Sequence, residues 1–217
     1  MRRSIMSIAP RLIPLAFGAR GVCDPRRVQH DLALEGHGVR LVPLDTTHAP
    51  ALAAFVDDRI WAGMSTPLPA GDDAWRAEVA TAHATPGRYA FAVLDAGTGE
   101  LRGSTSFYDR DTRVPRVEIG HTFYAPRWWG GDTNPACKLL MLTHAFEVWG
   151  CARVALRADS RNTRSIGAIT RLGATPEGVL RRHRLSSDGT LADTAYFSVV
   201  AEEWPAVRAG LLARLGA

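Results

Sequence analysis

Lysine is nearly missing from this sequence: of 26 basic residues, all but Lys138 are arginine. The plain reading is codon bias from a GC-rich genome. Cysteine is scarce as well. Cys23, Cys137 and Cys151 are widely spaced and form no CxxC pair, which excludes a disulfide framework and a zinc site and fits a reducing cytoplasm. No apolar run reaches the roughly 18 residues of a membrane span. Neither GxxxxGK[ST] nor GxGxxG occurs, so a P-loop and a dinucleotide turn are excluded. Internal repeats and low-complexity linkers are also absent.

An excess of one charge is confined to one place. Residues 1–33 hold six arginines against Asp24 and Asp31, and the remainder balances 20 basic with 20 acidic groups. A neutral body lacks the clustered basic face of a nucleic-acid binder. Residues 1–33 read as a basic, poorly ordered N-terminal extension. Their apolar stretch is broken by Pro10 and Arg11, which argues against a secretory signal. The 217 residues, 46% hydrophobic, suffice for one sizeable core, expected over residues 34–217.

From Leu34 onward the patterning is regular. "VRLVPL" alternates as a strand, and Asp45 or Thr46 caps a helix through about Val56. "DRIWAGM" reads as a short helix, and Asp72 and Asp73 open another that ends at Pro86-Gly87. "RYAFAVLD", "ELRGSTSFYDRD" and "RVEIGHTFYAP" follow as strands, the first two joined by a hairpin turn. Then come the helix "PACKLLMLTHAFEVWG", the strand "ARVALRAD", the helix "NTRSIGAITRLG" capped by Gly173, two strands about "SSDGT", and a C-terminal helix from about Trp204. This order predicts an α+β, three-layer fold with a mixed, mostly antiparallel sheet.

The stretch "PRWWGGDTNPACK" carries the functional question. A strand that ends in a glycine turn and feeds a helix aims free N–H groups and the helix dipole at one point, a general way to hold a pyrophosphate. Gly130 and Gly131 permit close backbone approach. Asn134 and Pro135 fit an N-cap and a first helical residue. Lys138, on the first turn of that helix, and Arg127 are placed to reach a phosphate. By itself such a corner is more often only a corner.

The surrounding sequence decides the reading. From roughly Leu34 to Leu215 the chain resembles the GNAT superfamily of N-acetyltransferases, in the branch typified by enzymes that acetylate ribosomal-protein N-termini. The marks are "EIGHTFY…PRWWG", "NTRSIGAITRLGA" with "PEGVLRRH", and "DTAYFSV". The resemblance implies acetyl-CoA as cosubstrate, no metal, and direct transfer of acetyl to a primary amine. The acceptor would be a protein N-terminus, an amino acid or a small-molecule amine. In that family an R-x-x-G-x-G/A turn holds the pyrophosphate. Here it reads Arg127, Trp128, Trp129, Gly130, Gly131, Asp132, and the last small position is a carboxylate, which should repel the phosphates. The cofactor contacts so implied are Phe123, Tyr124, Arg127, Gly130, Gly131, Thr133, Asn134, Lys138 and Asn162, with a backbone N–H near Phe123 or Tyr124 as oxyanion donor.

Acetyl transfer needs a neutral amine, an oxyanion donor and a protonated or stabilised thiolate. The resemblance points to Glu118 as base, working through water, and to Ser165 beside the leaving sulfur. His121 is the runner-up base. Three residues from Glu118, it points to the opposite face of a regular strand. Asn162 is equally an N-cap. Tyr196 is a cleft or core residue, Trp128 and Trp129 wall the site, and Leu139, Leu142, Phe146 and Trp149 form a core stripe at helical spacing. A non-catalytic CoA-binding or protein-interaction module is the second reading, and homodimerisation stays open.

Overall fold

Among the described residues there are eight strands: β1 (Leu34–Gly36), β2 (Val39–Pro43), β3 (Tyr89–Asp95), β4 (Leu101–Asp111), β5 (Arg116–Tyr124), β6 (Arg153–Asp159), β7 (Thr175–Leu185) and β8 (Leu191–Val200). The helices are α1 (Ala49–Phe55), α2 (Asp58–Trp61), α3 (Gly71–Ala84), α4 (Thr133–Thr143), α5 (Thr163–Leu172) and α6 (Trp204–Arg214). This computed structural model describes residues 30–217. The extension expected at the N-terminus lies outside the described residues as far as position 29. His30 already rests on the sheet, its Nε2 2.9 Å from the Ala90 carbonyl, and Leu32 packs against the core. Among the described residues no helix is long and apolar enough to cross a membrane.

All eight strands join one sheet, ordered β1-β2-β3-β4-β5-β6-β8-β7. Every neighbouring pair is antiparallel except β5 with β6. A core led by Phe91, Phe107, Ile119, Met141 and Leu156 packs α4, α5 and α6 on one face. A second, around Trp61, Trp75, Leu52 and Phe123, packs α1, α2 and α3 on the other. The three layers and the mostly antiparallel sheet are those expected from the sequence.

Local signals explain most boundaries and some departures. Asp45 caps, its side chain accepting from the Thr47 amide at 2.7 Å, but the turn it caps is a 3₁₀ segment that leads into α1. The strand β1 was not anticipated, since its three residues are too short to show a period. Gly173, at φ +94°, ends α5 in the left-handed conformation glycine tolerates. Beyond α4 the chain widens into a π-helical turn over His144–Val148. The stripe still turns inward: Leu139 and Leu142 are buried, while Phe146 stacks on Trp204 and Trp149 packs on Phe107.

Two irregularities position the site. The parallel register runs from Arg116↔Arg153 to Ile119↔Leu156 and stops, although β5 continues to Tyr124 and β6 to Asp159. The strands therefore part in mid-sheet. In the same place β5 carries a bulge. Ser104 pairs Phe123 and Ser106 pairs Gly120, so Thr105 faces both His121 and Thr122, and His121 adopts φ +48°. The extra residue reverses the alternation beyond it. Glu118 and His121, expected on opposite faces, both face away from α4. Glu118 meets Tyr108 and Arg157, and His121 meets Glu78 of α3.

Candidate active site

Where β5 and β6 part, a cleft of about 420 Å³ passes through the sheet. Its middle is lined by Ile119, Gly120, Thr122, Phe123 and Tyr124 of β5 and by Leu156 and Ala158 of β6. On the α4 side it reaches Gly130, Gly131, Asn134, Lys138, Ser165, Arg171 and Arg214. On the α3 side it reaches Met64, Arg88, Tyr108, Asp109 and Arg184.

The glycine turn forms the α4-side wall. Gly130 takes φ +76°, so the left-handed position of the turn falls on a glycine. Helix α4 begins at Thr133 with Asp132 in the N-cap position, and its first bond runs from the Ala136 amide to the Asp132 carbonyl at 2.9 Å. The expected Asn134 cap is thus two residues too late, and Pro135 is the third helical residue, where its missing N–H is still among the groups a helix leaves unpaired. The amides of Gly130, Gly131 and Asp132 donate to no protein acceptor among the described residues. Asp132 is exposed and right-handed, at φ −83°, and stands outside the cleft lining.

The tryptophans brace this turn, and both also line the cleft. Trp129 donates through Nε1 to the Tyr124 carbonyl at 2.8 Å, and the Arg164 guanidinium stacks on its ring at 3.6 Å. Trp128 lies over Arg102 at 4.0 Å. Arg102 also pairs with Asp95 and donates to the Thr133 hydroxyl at 2.9 Å, a brace that no local pattern announced. Thr133 is buried in that brace and does not line the cleft. Arg127 also stands apart: it is exposed and pairs with Glu100.

Lys138 sits on the second turn of α4, not the first, and is buried. Its Nζ donates to Thr122 Oγ1 at 3.2 Å. Burial brings its ammonium down to about 8. Tyr124 lies between the strand and α4, its hydroxyl 3.5 Å from Asn134 Oδ1. Asn162 is the N-cap of α5, accepting from the Ser165 amide at 3.0 Å, and also lines the cleft. Ser165 lines it one turn on.

On the α3 side, Glu118 is 4% exposed and does not line the cleft. Its Oε1 accepts from the Tyr108 hydroxyl and from Arg157 Nε, the latter at 2.8 Å. Burial raises its carboxyl above the usual range, against the opposing pull of Tyr108 and Arg157. Tyr108 and Arg157 stand on the cleft wall in its place. Arg157 also donates to the Tyr196 hydroxyl at 3.0 Å, and Tyr196 is outside the lining. His121 lines the cleft, its Nε2 3.4 Å from Glu78 and its buried Nδ1 without a partner among the described residues. Burial lowers its pKa, so its imidazole is neutral at pH 7. Among the described residues no group of three His, Cys, Asp or Glu is placed to hold a metal.

The residues fit a phosphorylated ligand. Unpaired turn amides, the α4 N-terminus and the cations Arg164, Arg171, Arg214 and Lys138 gather on one side of a slot through the sheet. The arginines were not foreseen, because only the fold brings α5 and α6 to the turn.

The chain is similar to known proteins. Residues 39–175 match the family described as acetyltransferase (GNAT) domain. A protein of T. thermophilus, whose crystal structure is described as that of an acetyltransferase, is 38% identical; the match covers 84% of this chain and 96% of that one, with a TM-score of 0.79. The uncharacterized N-acetyltransferase p20 of Bacillus licheniformis is 27% identical over 52% of this chain. The chain spans less than two thirds of the curated relatives it matches, 63% of one and 57% of another. Mycobacterium smegmatis RimJ, solved in complex with CoA-disulfide, shares the fold at 21% identity and a TM-score of 0.69, over 82% of this chain and 89% of its own. With its splayed sheet, its glycine turn and a family match over 137 of 217 residues, 39 to 175, this chain belongs to the GNAT acetyltransferase family.

Proposed function

We propose that this domain moves an acetyl group from acetyl-CoA to a primary amine by direct transfer, in the cytoplasm, with a small-molecule amine or a protein N-terminus as acceptor. The observation that carries this reading is the slot between β5 and β6, which joins a wall of unpaired amides and cations to a wall bearing Tyr108, Asp109 and His121. Acetyl-CoA supplies an activated acyl thioester. The amides of Gly130, Gly131 and Asp132 and the start of α4 at Thr133 and Asn134 hold its phosphates, with Arg164, Arg171, Arg214 and Lys138 as countercharges. Thr133 serves through its backbone, and Arg127, paired with Glu100, is given no role at the phosphates. The β5 edge at Phe123 and Tyr124 offers backbone donors to the pantetheine and the developing oxyanion.

Glu118 is the base, acting through Tyr108 rather than by contact. A proton leaves the amine for the Tyr108 oxygen as the phenolic proton passes to Glu118. The Tyr108 hydroxyl already donates to this carboxylate, and a carboxyl of raised pKa accepts a proton near neutral pH more readily than an ordinary one. Ser165, on the α4 side, donates to the departing sulfur. Cys137 and Cys151, buried and unbridged, are in keeping with a reducing compartment.

The test combines acetyl-CoA, an amine panel and free-thiol detection with thermal-shift titration of acetyl-CoA and CoA. Thiol release that depends on an amine is expected, with stabilisation near 3 kcal/mol at about 100 times Kd. Absence of stabilisation by either ligand removes the cofactor reading. Stabilisation without thiol release across the panel removes transfer and leaves a binding module.

A further inference from the structure

Two of the three arginines at the α3-side end of the cleft hydrogen-bond only to neutral groups. Arg88, Arg157 and Arg184 all line that end beside Tyr108. Arg157 has a carboxylate, Glu118, at 2.8 Å. The other two hydrogen-bond to neutral groups, although Glu78 of α3 acts on Arg88 through space. Arg88 comes from the start of β3, half-buried, and its Nε donates to Ser106 Oγ at 3.2 Å. Arg184 enters from β7, with its side chain 18% exposed. It donates to the Gly63 carbonyl at 3.1 Å, and its Nε is buried without a partner among the described residues.

The carboxylate nearest Arg184 is Asp159, at 3.8 Å. Arg161 already grips Asp159 with Nε at 3.0 Å and Nη2 at 2.9 Å, and Ser186 adds a bond at 3.2 Å. Arg184 is therefore a third, distant claimant. A guanidinium drawn out of water with only neutral acceptors is costly, and the cost falls when a carboxylate completes its fork. Asp109, exposed at the same end, is the one acidic residue on the cleft lining. It forms no ion pair among the described residues, and it suits the approach of a cationic amine.

We propose that the acceptor carries a carboxylate as well as its amine, and that Arg184, by its buried fork, holds that carboxylate, with Arg88 on the same cleft lining adding positive charge. The proposal rests on the transfer reading above and narrows its acceptor to amines with an acidic group. A free amino acid and an acidic protein N-terminus present the same chemistry. Uncharged amines and basic peptides leave the Arg184 fork unfilled.

Matched acceptor pairs test it in the wild-type protein with acetyl-CoA. One arm compares L-alanine with L-alaninamide, and the other compares peptide amides beginning Ser-Glu-Glu with those beginning Ser-Gln-Gln. In at least one arm the carboxylate member is expected to have a kcat/KM about tenfold higher or more, mostly through KM, as charge-assisted hydrogen bonds predict. The arm that responds identifies the source. Arg88→Gln and Arg184→Gln should each reduce that ratio about tenfold. Arg88→Gln keeps the test sound if loss of the Arg184–Gly63 bond unfolds the loop. Amides that serve as well as acids in both arms overturn the subsite while leaving transfer intact. If no amine releases thiol although CoA binds, transfer has failed separately. Calorimetry of N-acetylalanine and N-acetylalaninamide on the CoA-loaded protein then decides the subsite, and equal or absent binding overturns it.

Discussion

The phenol of Tyr108 lies across Gly120: a Cβ at position 120 would stand 2.5 Å from the Tyr108 hydroxyl. Only glycine lets the ring lie flat enough for its hydroxyl to reach Glu118, the residue paired across from Tyr108 in the β4–β5 ladder. Gly120→Ala should therefore push the ring off its partner. Overpacking of this kind costs about 1–3 kcal/mol, so a fall in melting temperature is expected together with slower thiol release. An alanine variant with wild-type stability and rate would show that the contact constrains nothing.

Proton removal through Tyr108 and Glu118 has a pH signature. The base works deprotonated, and burial holds its pKa above the ordinary carboxylate range. Activity should then fall as pH drops through a midpoint higher than that of an exposed glutamate. Glu118→Gln should abolish this acid limb and lower kcat by about 10²–10⁴-fold, with stabilisation by CoA retained. Tyr108→Phe should lower kcat while keeping CoA binding. A wild-type rate in Tyr108→Phe would exclude the relay, and in Glu118→Gln it would exclude the base. His121, neutral and on the same face, would be the group to examine next.

Lys138 should impose an alkaline stability gain. Its pKa is about 8 folded and 10.5 unfolded. Below pH 8 both states carry the proton and the penalty of the buried charge is complete. Between the two values the unfolded chain binds more protons, so stability rises with pH, by up to about 3 kcal/mol. Above 10.5 the penalty is gone. Lys138→Met should remove this rise and leave the protein at neutral pH as stable as wild type or more so, because an apolar side chain then replaces a buried ammonium. Parallel urea titrations at pH 7.5 and 10 measure the difference. Equal pH dependence in the two proteins would contradict it.

Signals carried within a few residues were legible in the sequence, and those carried across the sheet were not. Periodicity gave the strands from Val39 onward, and glycine chemistry gave the turn at Gly130 and the stop at Gly173. The bulge at His121 has no local mark. It arises where Thr105 must face two residues, and it carries His121 to the face Glu118 occupies. The partners of Glu118 lie 10 and 39 residues away in sequence, at Tyr108 and Arg157, so its burial and its absence from the cleft wall could not be read locally. Arg102 and the cations of α5 and α6 were missed for the same reason. The start of α4 was misplaced because Asn134-Pro135 mimics a cap that Asp132 already occupies.

Asp132 remains the departure from the family turn that most directly tests cofactor binding. Its side chain is exposed, its backbone is right-handed, and no cap bond fixes it. Glycine at 132 is therefore not needed for conformation, since the positive φ lies at Gly130, and what remains is charge. A solvated carboxylate on one of the residues whose amides face the phosphates repels by order 1 kcal/mol, part of which its own favourable place at a helix N-terminus offsets. Asp132→Gly should tighten acetyl-CoA binding about two- to fivefold at low ionic strength, and the gain should shrink toward 0.5 M salt as screening shortens the reach of the charge. Arg127→Ala is the control, because Arg127 pairs with Glu100 on the solvent side; its affinity should change less than about twofold, as expected of an exposed pair. Titration of both variants with acetyl-CoA at two salt concentrations measures this. Unchanged or weaker binding in Asp132→Gly would mean that the carboxylate does not oppose the phosphates.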